Sequence, residues 1–297
     1  MALGLTVYGC SLLSPLEDHT AAPTDGGEPA DASSVDAAGD TVAPDGGLLD
    51  APRIDAGVRD AHADANTPCV RVDAGTKSYC VDVTEVTREQ YREFIAAWSR
   101  DAGALVTPPA CEWNVNPTPG FSWPPPNDGS RDKDPVNNID WCDAYAYCAW
   151  VGKRLCGSIA DGGAVANASV KDQAVSEWYR ACSAAGTRTY PYGSTYDAST
   201  CNGCESQGIC AQQAFDRTVP IGSHVDCKGG ASPQLLDMSG NVQEWENSCI
   251  GNAGRPDDCS ARGGAWPNNA TDLQCTSAIK WKRDFVAGEI GVRCCSP

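Results

Sequence analysis

The sequence predicts an α+β fold: a single domain, rich in loops and disulfide bonds, that follows a disordered acidic linker. Three observations predict this fold. A strand-like segment leads into amphipathic helices, short strand-like runs and glycine-rich turns fill the chain after residue 186, and the 297 residues include 17 cysteines. Cysteines in this number indicate an oxidising compartment, where disulfides stabilise a domain that has few regular elements.

Residues 11–67 differ in composition from the rest of the chain. They include twelve Asp or Glu, two Arg and no aromatic residue. So little apolar surface cannot offset the entropy that ordering would cost, so we expect a disordered, self-repelling linker. A loosely folded arm on the domain is the alternative. Residues 68–297 form the predicted domain, and neither part has the basic patch that nucleic acid would require.

Residues 1–10 end in LTVYGC, where apolar residues and Gly9 precede Cys10. This segment resembles the end of a bacterial lipoprotein signal, in which Cys10 would carry the lipid. No Lys or Arg precedes Cys10 and the apolar region is short, so a plain secreted protein is the alternative. We expect a protein exported to the bacterial cell envelope, as an outer-membrane lipoprotein or in a periplasmic or secreted form.

The number of remaining cysteines and the hydropathy limit how many disulfides and membrane-spanning helices the chain can have. Without Cys10, sixteen cysteines remain, an even number that is compatible with eight disulfides. The sequence has no run of about twenty apolar residues, the length that a membrane-spanning helix requires. We therefore expect contact with a membrane only through the lipid anchor.

The regular elements follow from hydrophobic spacing. Residues 79–87 alternate like a strand with one buried face. Thr87 and Gln90 then form a capping box, which predicts the start of a helix. Apolar stripes at i, i+3, i+4 and i+7 predict three helices, which we place after Thr87, after Asp140 and around Trp178, the last ending near residue 186. The aromatic residues of these stripes favour a packed core over a binding surface.

Six motifs carry a family resemblance. In chain order they are DVTEVTREQYREF, PVNNIDWCDAYAYCAWVGKRL, EWYRACSAAGTRTYPYG, LLDMSGNVQEW, ARGGAW and GVRCC. They resemble the formylglycine-generating, or sulfatase-modifying factor, family, whose fold is related to that of C-type lectins. The resemblance covers nearly all of residues 70–297. It implies that the α+β domain has the formylglycine-generating-enzyme-like fold.

The motif LLDMSGNVQEW corresponds to a turn that binds calcium in that family. The resemblance implies the side chains of Asp237 and Glu244 and the carbonyls of Gly240 and Val242 as ligands. Ca²⁺ prefers such oxygen ligands, and Gly240 permits a backbone that turns carbonyls inward. Trp245 would anchor the turn in the core. A bound calcium would be structural; the alternative is that both acids are solvated loop residues.

A weaker second calcium site is implied after the motif YPYG. Asn202 matches one ligand, and the acidic partner falls at Gln213 or is displaced to Asp216. The nearby sequence CNGC (201–204) resembles part of a zinc ribbon. It has no second matched pair and no histidines, so we do not expect zinc.

The resemblance also implies two disulfides, Cys148–Cys294 and Cys182–Cys275. Cys295 is the neighbour of Cys294, cannot easily share its partner, and must pair elsewhere. Independently of the family, Cys249–Cys259 could close a short loop. The full connectivity stays open at this point.

The family's enzymes oxidise a cysteine of a client sulfatase to formylglycine, with O₂ and with copper held by two thiolates. Soft Cu(I) requires sulfur ligands. The two thiol positions are Asn268 and Leu273 here, the serine beside the oxygen pocket is Ala265, and a family tryptophan is Gln243. Copper is therefore not expected. Cys275, two residues from the second position, could replace one thiolate but would lack a second.

Relatives that bind iron use three histidines of an added helical domain. This chain has three histidines in all, and two of them lie in the predicted linker, so iron of that type is excluded. We expect a calcium-stabilised binding module that holds an extracellular or periplasmic peptide, glycan or small molecule in a groove near Trp266, Asn268 and Asn269. Trp266 is also compatible with a core position.

Two functions of other classes remain open. One is an oxidoreductase of the formylglycine-generating family, which would act on a sulfatase cysteine or on a secreted metabolite. The other is a structural component of the envelope. Two free thiols at the copper positions would favour the oxidoreductase, and their absence would favour the binding module.

Overall fold

The structure is a computed structural model that describes residues 68–101, 105–121, 123–124, 128–208, 210 and 216–297. The lipidation predicted at Cys10, the linker predicted at 11–67 and the calcium ligand considered at Gln213 lie outside these residues.

Three helices and ten strands make up the regular structure of the described residues. The helices are α1 (Arg88–Asp101), α2 (Trp141–Trp150) and α3 (Glu177–Cys182). The strands are β1 (Cys69–Ala74), β2 (Lys77–Asp82), β3 (Arg154–Leu155), β4 (Lys228–Gly229), β5 (Ser232–Leu236), β6 (Gln243–Trp245), β7 (Asp258–Arg262), β8 (Ala278–Lys282), β9 (Ile290–Gly291) and β10 (Cys294–Ser296).

The strands form two four-stranded sheets and one hairpin. The first sheet has the order β1-β2-β10-β3, the second has the order β8-β7-β6-β9, and β4 pairs with β5. The β6–β9 pair is parallel and the other strand pairs are antiparallel. The predicted α+β fold is confirmed, with short strands and long connections after residue 186.

The start of α1 follows the predicted capping box. Gln90 Oε1 accepts a hydrogen bond from the Thr87 backbone N–H at 2.8 Å, and the Gln90 N–H donates to Thr87 Oγ1 at 3.2 Å. The strand predicted over 79–87 is wrong at its end, because β2 ends at Asp82. Beyond it the chain leaves the first sheet, and the Val86 N–H donates to the Val292 carbonyl at 2.9 Å.

The third helix also ends before its predicted limit near Gly186. Helix α3 stops at Cys182, and Ala184, Ala185 and Gly186 have φ angles of +49°, +56° and +81°. These left-handed conformations cannot continue a right-handed helix. The spacing of apolar residues gave no sign of this reversal.

The aromatic stripes lie in the core, as predicted. Tyr91 and Phe94 of α1 contact Tyr147 of α2, with ring centroids 5.4 Å and 5.7 Å apart. This cluster packs between the helices and the second sheet. A second cluster surrounds Trp178 of α3 beneath the first sheet. Each sheet therefore buries the apolar side chains of one face against helices.

Eight disulfides join all sixteen cysteines of the described residues. They are Cys69–Cys80, Cys111–Cys142, Cys148–Cys294, Cys156–Cys295, Cys182–Cys275, Cys201–Cys227, Cys204–Cys210 and Cys249–Cys259. The two bridges that the resemblance implied are both present, and so is the short loop closed by Cys249–Cys259. Cys295 pairs with Cys156. Strand β10 is therefore bonded to α2 through Cys294 and to the residue that follows β3 through Cys295.

Two buried carboxylates cap the N-terminus of α2. The Asp143 N–H donates to Asp140 Oδ1 at 2.9 Å, and the Asp140 N–H donates to Asp143 Oδ2 at 3.1 Å. Asn114 Nδ2 donates to Asp143 Oδ1 at 2.7 Å. Burial raises the pKa of Asp140 to about 7, and burial together with the Asp140 charge raises the pKa of Asp143 well above its ordinary value.

We expect the free energy of unfolding to fall as pH rises from 4 to 8. Between the unfolded carboxyl pKa, about 4, and the raised folded values, the folded protein binds more protons than the unfolded chain. The contribution is therefore fully present at the acid end and is lost as pH rises through about 7, a change of the order of 2–4 kcal/mol. Denaturant unfolding at a series of pH values measures it.

The Asp143→Asn variant provides the control for this pH dependence. It removes one of the two adjacent charges and keeps an amide oxygen that can accept a hydrogen bond. We expect a smaller loss of stability between pH 4 and pH 8 than in the unmodified protein. Equal slopes for the two proteins would contradict the assignment of the effect to this pair.

Candidate functional site

The turn that precedes β6 has an unusual backbone. Asp237, Gly240 and Asn241 have φ angles of +55°, +80° and +60°. Asp, Asn and Gly tolerate this left-handed region better than other residues do. At the end of the turn, Trp245 is buried and its Nε1 donates to the Ile139 carbonyl at 3.0 Å. Trp245 thus anchors the turn in the core, where the sequence placed it.

The turn surrounds a positive group of the protein itself, the guanidinium of Arg293. Arg293 Nε lies 3.0 Å and 3.1 Å from the two carboxylate oxygens of Glu244. The other guanidinium nitrogens donate to the carbonyls of Asp82 and Leu236, each at 2.7 Å. Trp178 Nε1 donates to Glu244 Oε2 at 2.6 Å. The Glu244 carboxylate is therefore already saturated with N–H donors.

A third carboxylate, Glu85, lies in the same region and was missed by the sequence analysis. Glu85 is 1% exposed, and neither of its carboxylate oxygens has a hydrogen-bond partner. Burial raises its pKa well above the ordinary range, the Asp237 charge raises it further, and Arg293 lowers it. The available signal was an acid beside Val86, in a segment that was predicted as a strand with one buried face.

These observations test whether the residues fit the implied calcium. Burial raises the pKa of Asp237 to about 6, and its Oδ2 accepts one hydrogen bond, from the Gly222 N–H at 2.6 Å. Asp237, Glu244 and Glu85 share one guanidinium, so the region carries an excess of buried carboxylate. A divalent cation would compensate the excess charge on the side of Asp237 and Glu85, whereas Glu244 would have to release Arg293 to bind it.

The carboxylates of Asp237, Glu244 and Glu85 are not arranged around one point, as the ligands of a formed metal site are. In the part of the chain that the structure describes, Cys204, Glu205 and Cys210 are the one group of three His, Cys, Asp or Glu residues whose ligand atoms lie within 4.8 Å of one another. Both sulfurs of that group form a disulfide, so they are not thiolate ligands. A cation at the turn would have to draw Glu85 towards Asp237.

The second implied calcium site does not fit a cation. Asp216 lies 2.5 Å from Arg88 and 3.1 Å from Arg131, so two guanidinium groups already neutralise it. Burial acts to raise the pKa of Asp216, but hydrogen bonds from Thr218 and the charge of Arg131 outweigh it and lower the pKa to about 2. Asn202 donates to Asn241 Oδ1 at 3.0 Å. Calcium binding by Asn202 stays a prediction, without support from a free carboxylate at Asp216.

The residues at the former copper positions do not fit copper either. Asn268 Oδ1 accepts hydrogen bonds from the Ala265 N–H at 2.8 Å and from Gln243 Nε2 at 3.4 Å. Leu273 is buried, and a Cβ on Gly203 would lie 2.5 Å from Leu273 Cδ1. These side chains fill the site with neutral groups that cannot bind Cu(I).

Cys275 cannot restore the missing sulfur pair. It is bonded to Cys182 and it is buried. For Cys275 to take the place of the second thiolate, its bridge to Cys182 would have to open. It would still provide one sulfur where the copper chemistry needs two.

Most of the residues expected to line a groove near Trp266 are buried. Trp266 is 6% exposed, its backbone N–H donates to the Asn241 carbonyl at 3.0 Å, and its ring packs against Cys204. Trp266 thus belongs to the core. Asn269 is exposed and Asn268 is half-buried, so the six pocket candidates lie together, but only these two reach the surface.

Comparison with known proteins identifies relatives of this domain. The family model described as the sulfatase-modifying factor enzyme 1-like domain matches residues 35–296 and so begins inside the segment predicted as linker. The Mus musculus protein named inactive C-alpha-formylglycine-generating enzyme 2 is 27% identical over 258 residues, which are 74% of this chain and 75% of that protein. The Bos taurus protein of the same name is 26% identical, over 74% of this chain and 77% of its own.

A solved structure supports the fold. The crystal structure of CarF matches with a TM-score of 0.52 and 22% sequence identity, over 78% of this chain and 99% of the CarF chain. At this level of identity the match shows a shared architecture and does not bear on activity.

The buried ion pair at the turn leads to a mutational prediction. Glu244→Gln leaves Arg293 buried without its bound counter-charge, so we expect a loss of about 3–5 kcal/mol in the free energy of unfolding. Chemical denaturation in a chelating buffer measures it. The control is Asp258→Asn, which breaks the exposed Asp258–Lys282 pair (2.7 Å) and should change stability by about 0.5 kcal/mol or less.

A small effect of Glu244→Gln would contradict this account. It would mean that Glu85 and Asp237 balance the charge of Arg293 unaided. The double variant Glu244→Gln with Glu85→Gln distinguishes the two cases, because it leaves Asp237 as the remaining one of the three carboxylates that act on the guanidinium.

Proposed function

The chain belongs to the sulfatase-modifying factor enzyme 1-like family, and we propose that it is an exported member of this family without copper-dependent oxidase activity. Its role is that of a binding module, which holds a peptide, a glycan or a small molecule outside the cytosol. The proposal rests on how the chain uses its cysteines. A second clue is the word "inactive" in the names of its mammalian relatives.

The state of the cysteines carries this proposal. Formylglycine generation needs two free thiolates that bind Cu(I). The sixteen cysteines of the described residues are all paired in disulfides, and the two copper positions hold Asn268 and Leu273. The oxidoreductase alternative therefore has no observation in its favour, because it requires a sulfur pair that the described part of the chain does not offer.

Export and anchoring are part of the same proposal. Eight disulfides persist only in an oxidising compartment such as the periplasm or the cell exterior. Among the described residues, no helix has the length and apolar character needed to cross a membrane. A lipid on Cys10, followed by the acidic linker, would tether the domain to the envelope and let it search the space around it.

Calcium has a structural place in the proposal. A Ca²⁺ ion held by the Asp237 and Glu85 carboxylates and the Gly240 and Val242 carbonyls would neutralise the buried acids and fix the turn. The orphaned carboxylate of Glu85 supports this assignment. The ion supplies charge balance, and the surrounding residues supply shape, with no chemical step at the metal.

A thiol titration tests the absence of oxidase chemistry. We expect the full chain, denatured without reductant, to show no reactive thiol other than that of Cys10 where it carries no lipid. We expect no copper-thiolate absorption band and no oxidation of a peptide that contains a Cys-x-Pro-x-Arg segment. The reduced protein is the positive control for the titration. Two thiols that bind copper and support peptide oxidation would overturn the proposal.

Chelation tests the calcium assignment. Because a cation that binds only the folded state stabilises it by mass action, Ca²⁺ should raise the melting temperature by several degrees at neutral pH, and chelation should reverse the shift. Asp237→Asn and Glu85→Gln should each abolish the response. Asp216→Asn is the control and should keep the response, since Asp216 pairs with arginines. A protein that is indifferent to chelator would contradict the assignment.

A further inference from the structure

A cavity elsewhere in the domain shares no lining residue with the pocket candidates around Asn268 and Leu273. Its volume is about 520 Å³, within the range of about 300–1,000 Å³ that is typical of small-molecule sites. It lies between the segment 108–112, the start of α2 and the loop that follows β6. Its lining includes Pro108, Pro109, Trp141, Tyr145, Asn247 and Asn252.

The walls of this cavity are held rigidly. The bridge Cys111–Cys142 joins a 3₁₀ turn, Pro109–Cys111, to α2. The bridge Cys249–Cys259 joins the loop after β6 to β7. Trp113 Nε1 donates to the Ala110 carbonyl at 2.8 Å and fixes the segment between them. Walls that are ordered before a ligand arrives lower the entropic cost of binding.

Four polar side chains line the cavity and are not used in hydrogen bonds to the part of the chain that the structure describes. The Glu112 carboxylate, the Tyr145 hydroxyl and the amides of Asn247 and Asn252 make no hydrogen bond or ion pair with other described residues. Glu112 and Asn252 are exposed and Tyr145 and Asn247 are half-buried, so the four groups offer donors and acceptors at the open side and the wall of one cavity. Polar groups that converge on a cavity and are not used by the fold are typical of ligand sites.

A second cavity shows the contrast. It has a volume of about 740 Å³ and is lined by Tyr192 and Tyr196. The Tyr196 hydroxyl donates to Glu205, and the Tyr192 hydroxyl accepts from the Asp197 N–H at 3.4 Å. Its aromatic hydroxyls are therefore occupied by the fold, so this cavity is the weaker candidate.

The charges around the first cavity limit the class of ligand. Arg283 lines it, lies 4.8 Å from the ring centre of Trp141 and pairs with Asp257 at 2.9 Å. Because the guanidinium covers the indole face, a cationic ligand cannot use that face. Glu112 is the remaining charge, and it repels anions. The Glu112 carboxylate therefore disfavours an anionic ligand and can accept hydrogen bonds from hydroxyl groups.

The apolar and polar parts of the lining indicate what shape the ligand has. Ring faces of proline and tyrosine pack against apolar C–H groups, while the amides, the phenol and the carboxylate pair with hydroxyls. No lining residue belongs to a strand, so a peptide could not add to a sheet edge there. A sugar ring has both an apolar face and a rim of hydroxyls.

We propose that this cavity binds a neutral saccharide unit, an inference that rests on the proposed role as a binding module and names its ligand class. The bound ring would lie against Tyr145 and the two prolines. Glu112 would accept hydrogen bonds from its hydroxyls, and Asn247 and Asn252 would donate and accept at its rim.

Titration of the full chain with defined sugars tests the proposal. The probes are the methyl glycosides of glucose, galactose, mannose and N-acetylglucosamine, with glucuronic acid and phosphocholine as charged comparators, followed by calorimetry and by saturation-transfer NMR. We expect at least one neutral glycoside to bind at a single site and both charged comparators to bind at least tenfold more weakly. Binding of none of the neutral glycosides, or equal binding of a charged comparator, would overturn it.

Variants locate the bound sugar. Glu112→Gln and Tyr145→Phe should each weaken binding about three- to tenfold, since each removes one ligand contact. Neither group makes an internal hydrogen bond, so the melting temperature should stay unchanged. The matched controls are Glu93→Gln, on the exposed face of α1, and Tyr179→Phe, on α3, which should bind as the unmodified protein does. Unchanged affinity in the cavity variants would overturn the assignment.

The outcome is distinguishable from failure of the proposed function. Sugar binding can fail while the thiol titration finds no free pair, in which case the domain is still a binding module with its site elsewhere. Conversely, free thiols with oxidase activity would remove the proposed function even if the cavity held a sugar.

Discussion

The buried ion pair between Glu244 and Arg293 is the constraint on which the rest of the structure depends. Arg293 joins β6 through the carboxylate of Glu244, β2 through the carbonyl of Asp82 and β5 through the carbonyl of Leu236. One side chain thus connects both sheets and the hairpin. Because neither charge can reach water, each is stable only in the presence of the other, and the backbone of the turn has to deliver Glu244 to this place.

The sequence revealed those parts of the fold that depend on neighbours in the chain. The capping residues Thr87 and Asp140 mark helix starts because their hydrogen bonds reach only three residues. The end of α3 and the departure of the chain after β2 depend on distant partners, which spacing does not record. The partner of Glu244 was beyond prediction for the same reason, since Arg293 is 49 residues away.

The sequence named candidate site residues but did not predict the contacts that their side chains make. The family motifs named Asp237, Glu244, Asn268 and Leu273 as site positions, and their roles as such stay predictions. They could not show that Glu244 is saturated by a guanidinium or that Leu273 is packed under a glycine. At the two positions that match the family's thiolates, Asn268 accepts a hydrogen bond within its own turn and Leu273 is buried in the core. Restoring thiols there would therefore also remove packing and hydrogen bonds.

The adjacent residues Cys294 and Cys295 have a consequence for biosynthesis. Their partners, Cys148 and Cys156, precede them by 146 and 139 residues. Neither bridge can close before Cys294 and Cys295 have been synthesised, so Cys148 and Cys156 stay open to thiol exchange while the intervening residues are made. A chain without β10 would keep both of these sulfurs as free thiols.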